Sequence, residues 1–250
     1  MLIKENNIEL QPMALAGEPT GTASASEQQP AFKNASRVQE SLTSRLERKL
    51  LRWLAEHMPP FINSDHLTLL GLLSMFLAGT CYALARWYQI GLVLATLWIA
   101  VNWFGDSLDG TLARVRNRQR PRYGFYVDHI IDAFGAFFLM SGLALSGYAD
   151  PRIAIGMLVA FLLLSIELHL ATYTLGIFQL SFWKFGPTEV RVLLAIGNTT
   201  LLFHPTVRVL GASYRLFDVG GLVAITGMAI MLVTVTIGHT IKLYQEEKLP

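Results

Sequence analysis

Charge is scarce in this sequence of 250 residues. Asp, Glu, Lys and Arg together make up 15% of the chain, hydrophobic residues make up 52%, and the mean hydropathy is +0.42. An ordinary soluble domain carries about 25% charged residues. The composition therefore argues against a typical soluble enzyme and favours a membrane protein.

Cysteine and net charge are also low. The single cysteine, Cys81, lies in an apolar run, so an intramolecular disulfide is excluded and a free buried thiol is expected. A net charge of +2 gives no basic excess of the kind that binds nucleic acid, and we expect no nucleic-acid partner. Residues 1–36 have no apolar core of a cleaved signal peptide, and we interpret them as a disordered cytoplasmic tail.

A pattern with the period of a helix follows this tail. Apolar residues recur at helical spacing from Val38 to His57, and basic residues lie between them. We predict an amphipathic helix over residues 37–58 that lies on an anionic membrane surface. A helix packed against a neighbouring domain is the alternative. Pro59 and Pro60 end the pattern.

Six long apolar stretches come next, and each is near the length of about 20 residues that a membrane-spanning helix needs. The predicted spans are 66–86, 88–112, 124–148, 153–178, 188–205 and 218–241, within a catalytic domain of residues 62–245. The expected fold class is an all-α polytopic membrane protein with six transmembrane helices after the interfacial helix. An even number of spans places both termini on the same side.

The basic residues indicate which side is cytoplasmic. With the N-terminus inside, sixteen of the 20 lysine and arginine residues fall on the inner side. Only Arg86, Arg152, Arg208 and Arg215 fall outside. This positive-inside bias predicts that both termini and the arginine-rich loop 114–122 face the cytoplasm.

Four aspartates flank this loop. Along the second span Asp106, Asp109, Gly110 and Ala113 have offsets of 0, 3, 4 and 7, and along the third span Gly124, Asp128 and Asp132 have offsets of 0, 4 and 8. Each set therefore occupies one helical face. Because only nine residues separate Arg114 from Gly124, the two helices are expected to be antiparallel neighbours whose acidic faces converge.

Four carboxylates at the edge of the hydrocarbon require a compensating cation, because like charges repel and desolvation penalises each one. Oxygen ligands without His or Cys at matching spacing favour Mg²⁺, Mn²⁺ or Ca²⁺ over zinc. Mg²⁺ usually completes its coordination with phosphate oxygens, which points to a nucleotide pyrophosphate. Gly110 and Ala113 leave room for a ligand, and Arg114 can pair with phosphate. The alternative is that the aspartates cap helices or pair with the loop arginines.

The same residues resemble the signature of the CDP-alcohol phosphotransferases. The pattern Asp-x-x-Asp-Gly-x-x-Ala-Arg runs from Asp106 to Arg114, and Gly-x-x-x-Asp-x-x-x-Asp runs from Gly124 to Asp132. All eight fixed positions are present, and the nine-residue spacer lies at the long end of the family's range. The polar start of the first span, residues 63–68, is also similar, and the resemblance covers roughly residues 40 to 245.

The resemblance implies a homodimeric membrane enzyme of phospholipid or related phosphodiester synthesis that uses two divalent ions, Mg²⁺ or Mn²⁺. It implies a CDP-alcohol donor, an alcohol or lipid acceptor, contact with membrane lipids, and release of CMP. It also implies a role for each motif residue. Asp106, Asp109, Asp128 and Asp132 would bind metal, with Asp132 also the catalytic base, and Gly110, Ala113, Arg114 and Gly124 would line the cytidine and phosphate pocket.

Other polar residues admit both functional and structural interpretations. Glu167 and His169 lie inside the fourth span. They are either functional residues or form hydrogen bonds with polar partners in the bundle. Lys184 and Arg191, near the start of the fifth span, share the side of the aspartates and form a candidate acceptor site for a phosphate or polar head group. His129, directly after Asp128, is reminiscent of the choline/ethanolamine branch of the family, although packing against a neighbouring span is an equal alternative.

Two functional alternatives stay open. Within the transferase class, the lipid is either the CDP-linked donor or the acceptor. Outside it, a membrane cation transporter would use the aspartate cluster as an ion site. Transport favours acidic residues near the midplane on broken helices, whereas these lie at one interface beside an arginine-rich loop.

Sidedness can be tested by labelling cysteines in intact cells after Cys81→Ala. We expect Arg118→Cys to be protected from a membrane-impermeant thiol reagent, because the positive-inside bias places the loop in the cytoplasm. Arg208→Cys, one of the few basic positions expected outside, is the matched control and should be labelled. Labelling of position 118 from outside would contradict the topology.

Overall fold

A computed structural model describes residues 36–38, 44–179 and 187–247. Within these residues, seven α-helices carry the fold. They are α1 (Ser44–Glu56), α2 (Ser64–Leu84), α3 (Ile90–Val115), α4 (Pro121–Leu145), α5 (Pro151–Leu175), α6 (Pro187–Phe203) and α7 (Leu216–Glu246). Strand β1 (Ser36–Val38) pairs in parallel with β2 (Ile177–Gln179), and β3 (Thr206–Val209) pairs antiparallel with β4 (Ala212–Arg215). The predicted tail before residue 36 lies outside the described residues.

Helix boundaries follow local sequence signals. Asn63 caps α2 by accepting from the main-chain N–H of His66 over 3.0 Å, and the His66 ring accepts from the N–H of Asn63 over 3.3 Å. Asp150 caps α5 by accepting from the main-chain N–H of Arg152 over 2.8 Å, ahead of Pro151 in the first helical position. Gly176 ends α5 in the left-handed conformation, with φ of 67°.

The β3–β4 hairpin joins α6 to α7 and was not predicted from the sequence. Leu210 and Gly211 form its turn with φ of 49° and 84°. Two successive positive φ values match the twist of the flanking strands, which is why such turns close hairpins. The strands have only four residues each, too few for a clear alternating pattern.

Helix α1 packs one face on the bundle and leaves the other face free. Leu51 and Ala55 are buried against Leu108 and Leu112 of α3. The basic residues Arg48, Lys49 and Arg52 are exposed. The helix begins at Ser44, later than predicted, because residues 36–38 form a strand instead. Its location at a membrane interface stays a prediction.

Five helices are long and apolar enough to cross a membrane: α2, α3, α4, α5 and α7. They coincide, within a few residues at each end, with five of the predicted spans, and the polytopic membrane architecture agrees with the sequence prediction. Helix α6, at the predicted fifth span, has 17 residues. At 1.5 Å per residue it measures about 26 Å, shorter than a hydrocarbon core of about 30 Å. A count of six spans therefore stays a prediction.

Close backbone contacts hold α3 and α4 against α2. A Cβ atom at Gly79 would collide with the carbonyl oxygen of Phe138 on α4, and one at Gly142 would collide with the carbonyl of Gly79. A Cβ at Gly105 of α3 would lie 2.7 Å from the carbonyl oxygen of Leu67. Small residues permit such approaches between membrane helices. Helix α2 is thus the element that brings the two aspartate-bearing helices together.

A buried polar network fixes α6 to α2 and α3. Tyr82 Oη donates to Asn198 Oδ1 over 2.8 Å, and Asn198 Nδ2 donates to Thr96 Oγ1 over 2.9 Å. Tyr82 and Asn198 are both fully buried. Satisfied polar groups of this kind rigidify an interior, because leaving any one unpaired is costly. The network therefore defines where α6 docks.

Gly142→Ala should destabilise the protein by about 1–3 kcal/mol, the usual cost of overpacking, because its Cβ meets the backbone of Gly79 rather than a movable side chain. Gly227→Ala on α7 is the matched control, since a Cβ there meets no atom within 4 Å. Thermal unfolding in detergent compares the two. Equal effects of both substitutions would contradict the close crossing of α2 and α4.

Candidate metal and substrate site

A cavity opens where α2, α3, α4 and α6 meet, with about 370 Å³ of empty space, part of it open to solvent. All four predicted metal ligands and Arg191 are in its wall. The lining residues are Thr68, Gly71, Met75, Asn102, Asp106, Asp109, Asp128, Ile131, Asp132, Gly135 and Arg191. The lining includes no arginine of the 114–122 loop.

Asp106, Asp128 and Asp132 form the tightest acidic group in the described part of the chain. Each offers a carboxylate oxygen, and these oxygens lie within 4.8 Å of one another. Asp106 and Asp128 are partly buried, and Asp132 is exposed. Ligands on opposite sides of Mg²⁺ or Ca²⁺ are about 4–5 Å apart. The three carboxylates therefore fit a single hard cation.

Asp109 lies in the same cavity but is engaged by its neighbours. Thr68 Oγ1 donates to Asp109 Oδ2 over 2.6 Å, and the N–H of Gly110 donates to Oδ1. Ser64 Oγ donates to the main-chain carbonyl of Asp109 over 2.8 Å. Helix α2 thus orients this carboxylate beside the other three. Thr68 and Ser64 belong to the polar start of the first span, which was the sequence signal that could have indicated their role.

Arg191 supplies positive charge inside the cavity. Its Nη2 atom lies 2.5 Å from Asp106 Oδ2, and both side chains are largely buried, at 17% and 24% exposure. One guanidinium does not balance four carboxylates, so the cavity wall keeps a negative excess that suits a cation. Lys184, the other residue of the candidate acceptor site, lies outside the described residues.

The remaining motif residues lie at the loop end of α3 and α4, outside the cavity wall. A Cβ atom at Gly124 would meet no atom within 4 Å, and one at Gly110 would meet only Arg114 Nη1, at 3.5 Å. Arg114 is exposed, and its Nη2 donates to Thr111 Oγ1 over 2.9 Å. Ala113 is partly buried. The two glycines therefore border open space next to the aspartates.

The polar residues inside α4 and α5 find partners in the bundle. His129 lies 4.8 Å from His169, measured between ring centroids, and its Nδ1 is 3.7 Å from Asp128 Oδ2. Glu167 accepts from His239 of α7 over 2.6 Å. Sequence alone does not reveal His239 as this partner, because 72 residues separate the two positions. The Glu167–His239 pair is not part of the cavity wall.

Asn102 is a further cavity residue that the sequence did not single out. Its Nδ2 donates to the carbonyl of Gly71 over 3.0 Å, and its buried Oδ1 has no partner among the described residues. Asn102 precedes Asp106 by one helical turn and so lies on the same face of α3. This spacing was the sequence signal that could have indicated Asn102 as a cavity residue.

Comparison with known proteins supports the resemblance that the motif indicates. No family model matches the chain. Cholinephosphotransferase 1 of Gallus gallus is 26% identical over 191 residues, which cover 71% of this chain and 56% of that protein. The chain thus matches only about half the length of this curated relative. The similarity supports a relationship to CDP-alcohol phosphotransferases at the family level.

Replacing a carboxylate of the cluster should weaken divalent-ion binding. Asp106→Asn and Asp128→Asn each remove a negative oxygen ligand, and we expect Mn²⁺ affinity to fall by at least about tenfold, since even residues behind the ligands contribute about 10–100-fold. Glu56→Gln, at an exposed acid on α1, is the control and should leave affinity unchanged. Titration of purified protein with Mn²⁺, followed by electron paramagnetic resonance, measures this. Unchanged titrations in both aspartate variants would contradict the site.

Proposed function

We propose that this protein transfers a phospho-alcohol from a CDP-linked donor to an acceptor hydroxyl, with release of CMP. The observation that carries the proposal is the convergence of Asp106, Asp109, Asp128 and Asp132 in one cavity. These are the acidic positions of the motif that resembles the CDP-alcohol phosphotransferases. The similarity to the avian cholinephosphotransferase supports the same reaction class.

The donor end of the site involves the loop ends of α3 and α4. Asp106, Asp109 and Asp128 would hold the divalent ions, Mg²⁺ or Mn²⁺, with Asp132 as a further ligand. Bound ions would neutralise the pyrophosphate and stabilise the CMP leaving group. The space next to Gly110 and Gly124 gives room for the nucleotide, because a Cβ at Gly124 would meet no atom within 4 Å and one at Gly110 would meet only the end of the Arg114 side chain. Ala113 borders the same region.

Arg114 and Arg191 would bind phosphate oxygens from two sides. Arg114 is exposed at the loop end of α3, where it can reach the donor. Arg191 lies in the cavity wall and pairs with Asp106. Once Asp106 binds a cation, the guanidinium of Arg191 becomes available to a phosphate or polar head group. Lys184 is proposed for the same acceptor site on sequence grounds alone.

Asp132 is proposed as the base that acts on the acceptor. It lies one helical turn beyond Asp128, about 6 Å farther along α4 and away from the 114–122 loop. As the acceptor oxygen bonds to the phosphorus that carries the transferred alcohol, the bond from that phosphorus to the oxygen of CMP breaks. The hydroxyl proton passes to the Asp132 carboxylate, which acts as a base held close to the reacting groups.

The direction of lipid transfer can also be proposed. The named activity of the avian relative and the His129 that follows Asp128 favour a small CDP-linked head group as donor and a lipid as acceptor. The reverse assignment, a CDP-linked lipid and a small polyol, uses the same chemistry. Cation transport gains no support, because α3 and α4 are continuous helices at the aspartates.

Purified protein supplied with donor, acceptor and Mg²⁺ tests the proposal. CMP release from CDP-choline with diacylglycerol, compared with release from CDP-diacylglycerol with small polyols, distinguishes the two directions. A chelator should abolish the release, and Mg²⁺ or Mn²⁺ should restore it. Ion uptake into vesicles without any CMP release would instead support a transporter.

Asp132→Asn should lower kcat by about 10²–10⁴-fold, the range expected on loss of a general base. Donor binding in the presence of metal should fall much less than in Asp106→Asn, because Asp132 is proposed to act chiefly on the acceptor, whereas Asp106 is proposed to hold the ions that bind the donor. Steady-state kinetics with equilibrium binding of the CDP-alcohol measure both quantities. Near-native turnover, or a loss of donor binding as complete as in Asp106→Asn, would refute the division of roles.

A further inference from the structure

Glu47, in the first turn of α1, connects three helices through one carboxylate oxygen. Trp103 Nε1 of α3 donates to Glu47 Oε1 over 2.9 Å. Thr188 Oγ1 of α6 donates to the same oxygen over 2.8 Å. Both partners are far from Glu47 in sequence, by 56 and 141 residues, so the contacts form only when α1 is docked on the bundle.

Helix α1, which carries Glu47, is held against the bundle by further contacts. Its own residues Leu51 and Ala55 are buried against Leu108 and Leu112 of α3. Arg116, at the end of α3, donates from Nη2 to the carbonyls of Met58 and Pro59, over 2.8 Å and 2.9 Å, in the segment that follows α1. The helix therefore has little freedom to shift relative to α3.

The contact lies next to the cavity. Thr188 precedes Arg191 by three residues on α6, and residues at this spacing are neighbours on one helical face. Arg191 in turn lies 2.5 Å from Asp106. The other half of α6 is fixed by Asn198 through its bonds to Tyr82 and Thr96. Glu47 thus supplies a second point of attachment, at the end of α6 that carries Arg191.

We propose that Glu47 is a positioning residue that fixes the first turn of α6 and thereby holds Arg191 in the cavity. Its negative charge at the N-terminus of α6 is also favourable for the helix dipole. Without this contact, the first turn of α6 gains freedom and the guanidinium of Arg191 is held less well against its partners. The inference rests on the proposed function, because a role of Arg191 in transfer belongs to that proposal.

Three substitutions on α1 separate positioning from a general effect of charge. Glu47→Ala removes the acceptor and should lower kcat/KM by about tenfold, the effect of losing a hydrogen bond to a charged group. Glu47→Gln keeps Oε1 as an acceptor and should retain most of the activity. Glu56→Ala, at the exposed acid of the same helix, should have no effect. Equal loss in Glu47→Gln and Glu47→Ala would overturn the proposal.

A double-mutant cycle asks whether Glu47 acts through Arg191. In an Arg191→Gln background, Glu47→Ala should change kcat/KM by less than about twofold, since the residue that it positions is already gone. A merely structural role would multiply the two losses instead, and that result would overturn the proposal. Thr188→Val removes the same contact from the side of α6 and replaces Glu47→Ala in the cycle should the latter fail to fold.

A distance measurement tests the placement without any turnover. Spin labels at Lys49→Cys and Val190→Cys, both exposed, in a Cys81→Ala background report the separation of α1 from the start of α6. We expect a narrow distribution in the parent and in Glu47→Gln, and a broadened one in Glu47→Ala. An unchanged distribution in Glu47→Ala overturns the positioning role. Absence of CMP release in the parent protein would refute the proposed function but leave this result interpretable.

Discussion

Three carboxylates, those of Asp106, Asp128 and Asp132, have oxygens within 4.8 Å of one another on helices that are long and apolar enough to cross a membrane. Like charges at this distance repel, and the repulsion grows as water is excluded. Arg191 provides only partial compensation, through its ion pair with Asp106. The bundle must therefore hold α3 and α4 together against this repulsion, and the excess negative charge suits a divalent cation.

The packing of α2 meets this requirement. Gly79 and Gly142 let the backbones of α2 and α4 approach closely, and Gly105 does the same between α2 and α3. Thr68 of α2 then orients the carboxylate of Asp109 beside the cluster. Because these approaches are made by backbone atoms, the site is built on rigid elements, as precise chemistry requires.

Helix α6 brings the positive charge, and it is attached on both sides of that charge. The buried bonds of Asn198 fix its later turns, and Glu47 of α1 contacts its first turn. The helix that we predict to lie on the membrane surface is thereby connected to the cavity. The protein thus combines a fixed acidic face, from α3 and α4, with a basic residue whose position depends on α1.

Local periodicity predicted which aspartates share a face, because a helix places offsets of three, four, seven and eight residues together. It also predicted, within a few residues, the five helices that are long and apolar enough to cross a membrane. Thr68 and Asn102 had a sequence signal that was not used: the polar start of the first span and the one-turn spacing to Asp106. The Glu167–His239 pair could not be identified, since contacts between helices distant in sequence have no periodic signal. The β3–β4 hairpin was missed because its strands are short, and the start of α1 because Val38 pairs as a strand.

The central claim is that Asp106, Asp128 and Asp132 together form a divalent-metal site for a cytidine nucleotide. Anomalous diffraction from crystals grown with Mn²⁺ and a CDP-alcohol tests it most directly. The account predicts a manganese peak in contact with carboxylate oxygens of these three residues and with the pyrophosphate of the nucleotide. A nucleotide bound elsewhere, or a cavity with no manganese peak and Arg191 still paired with Asp106, would contradict it.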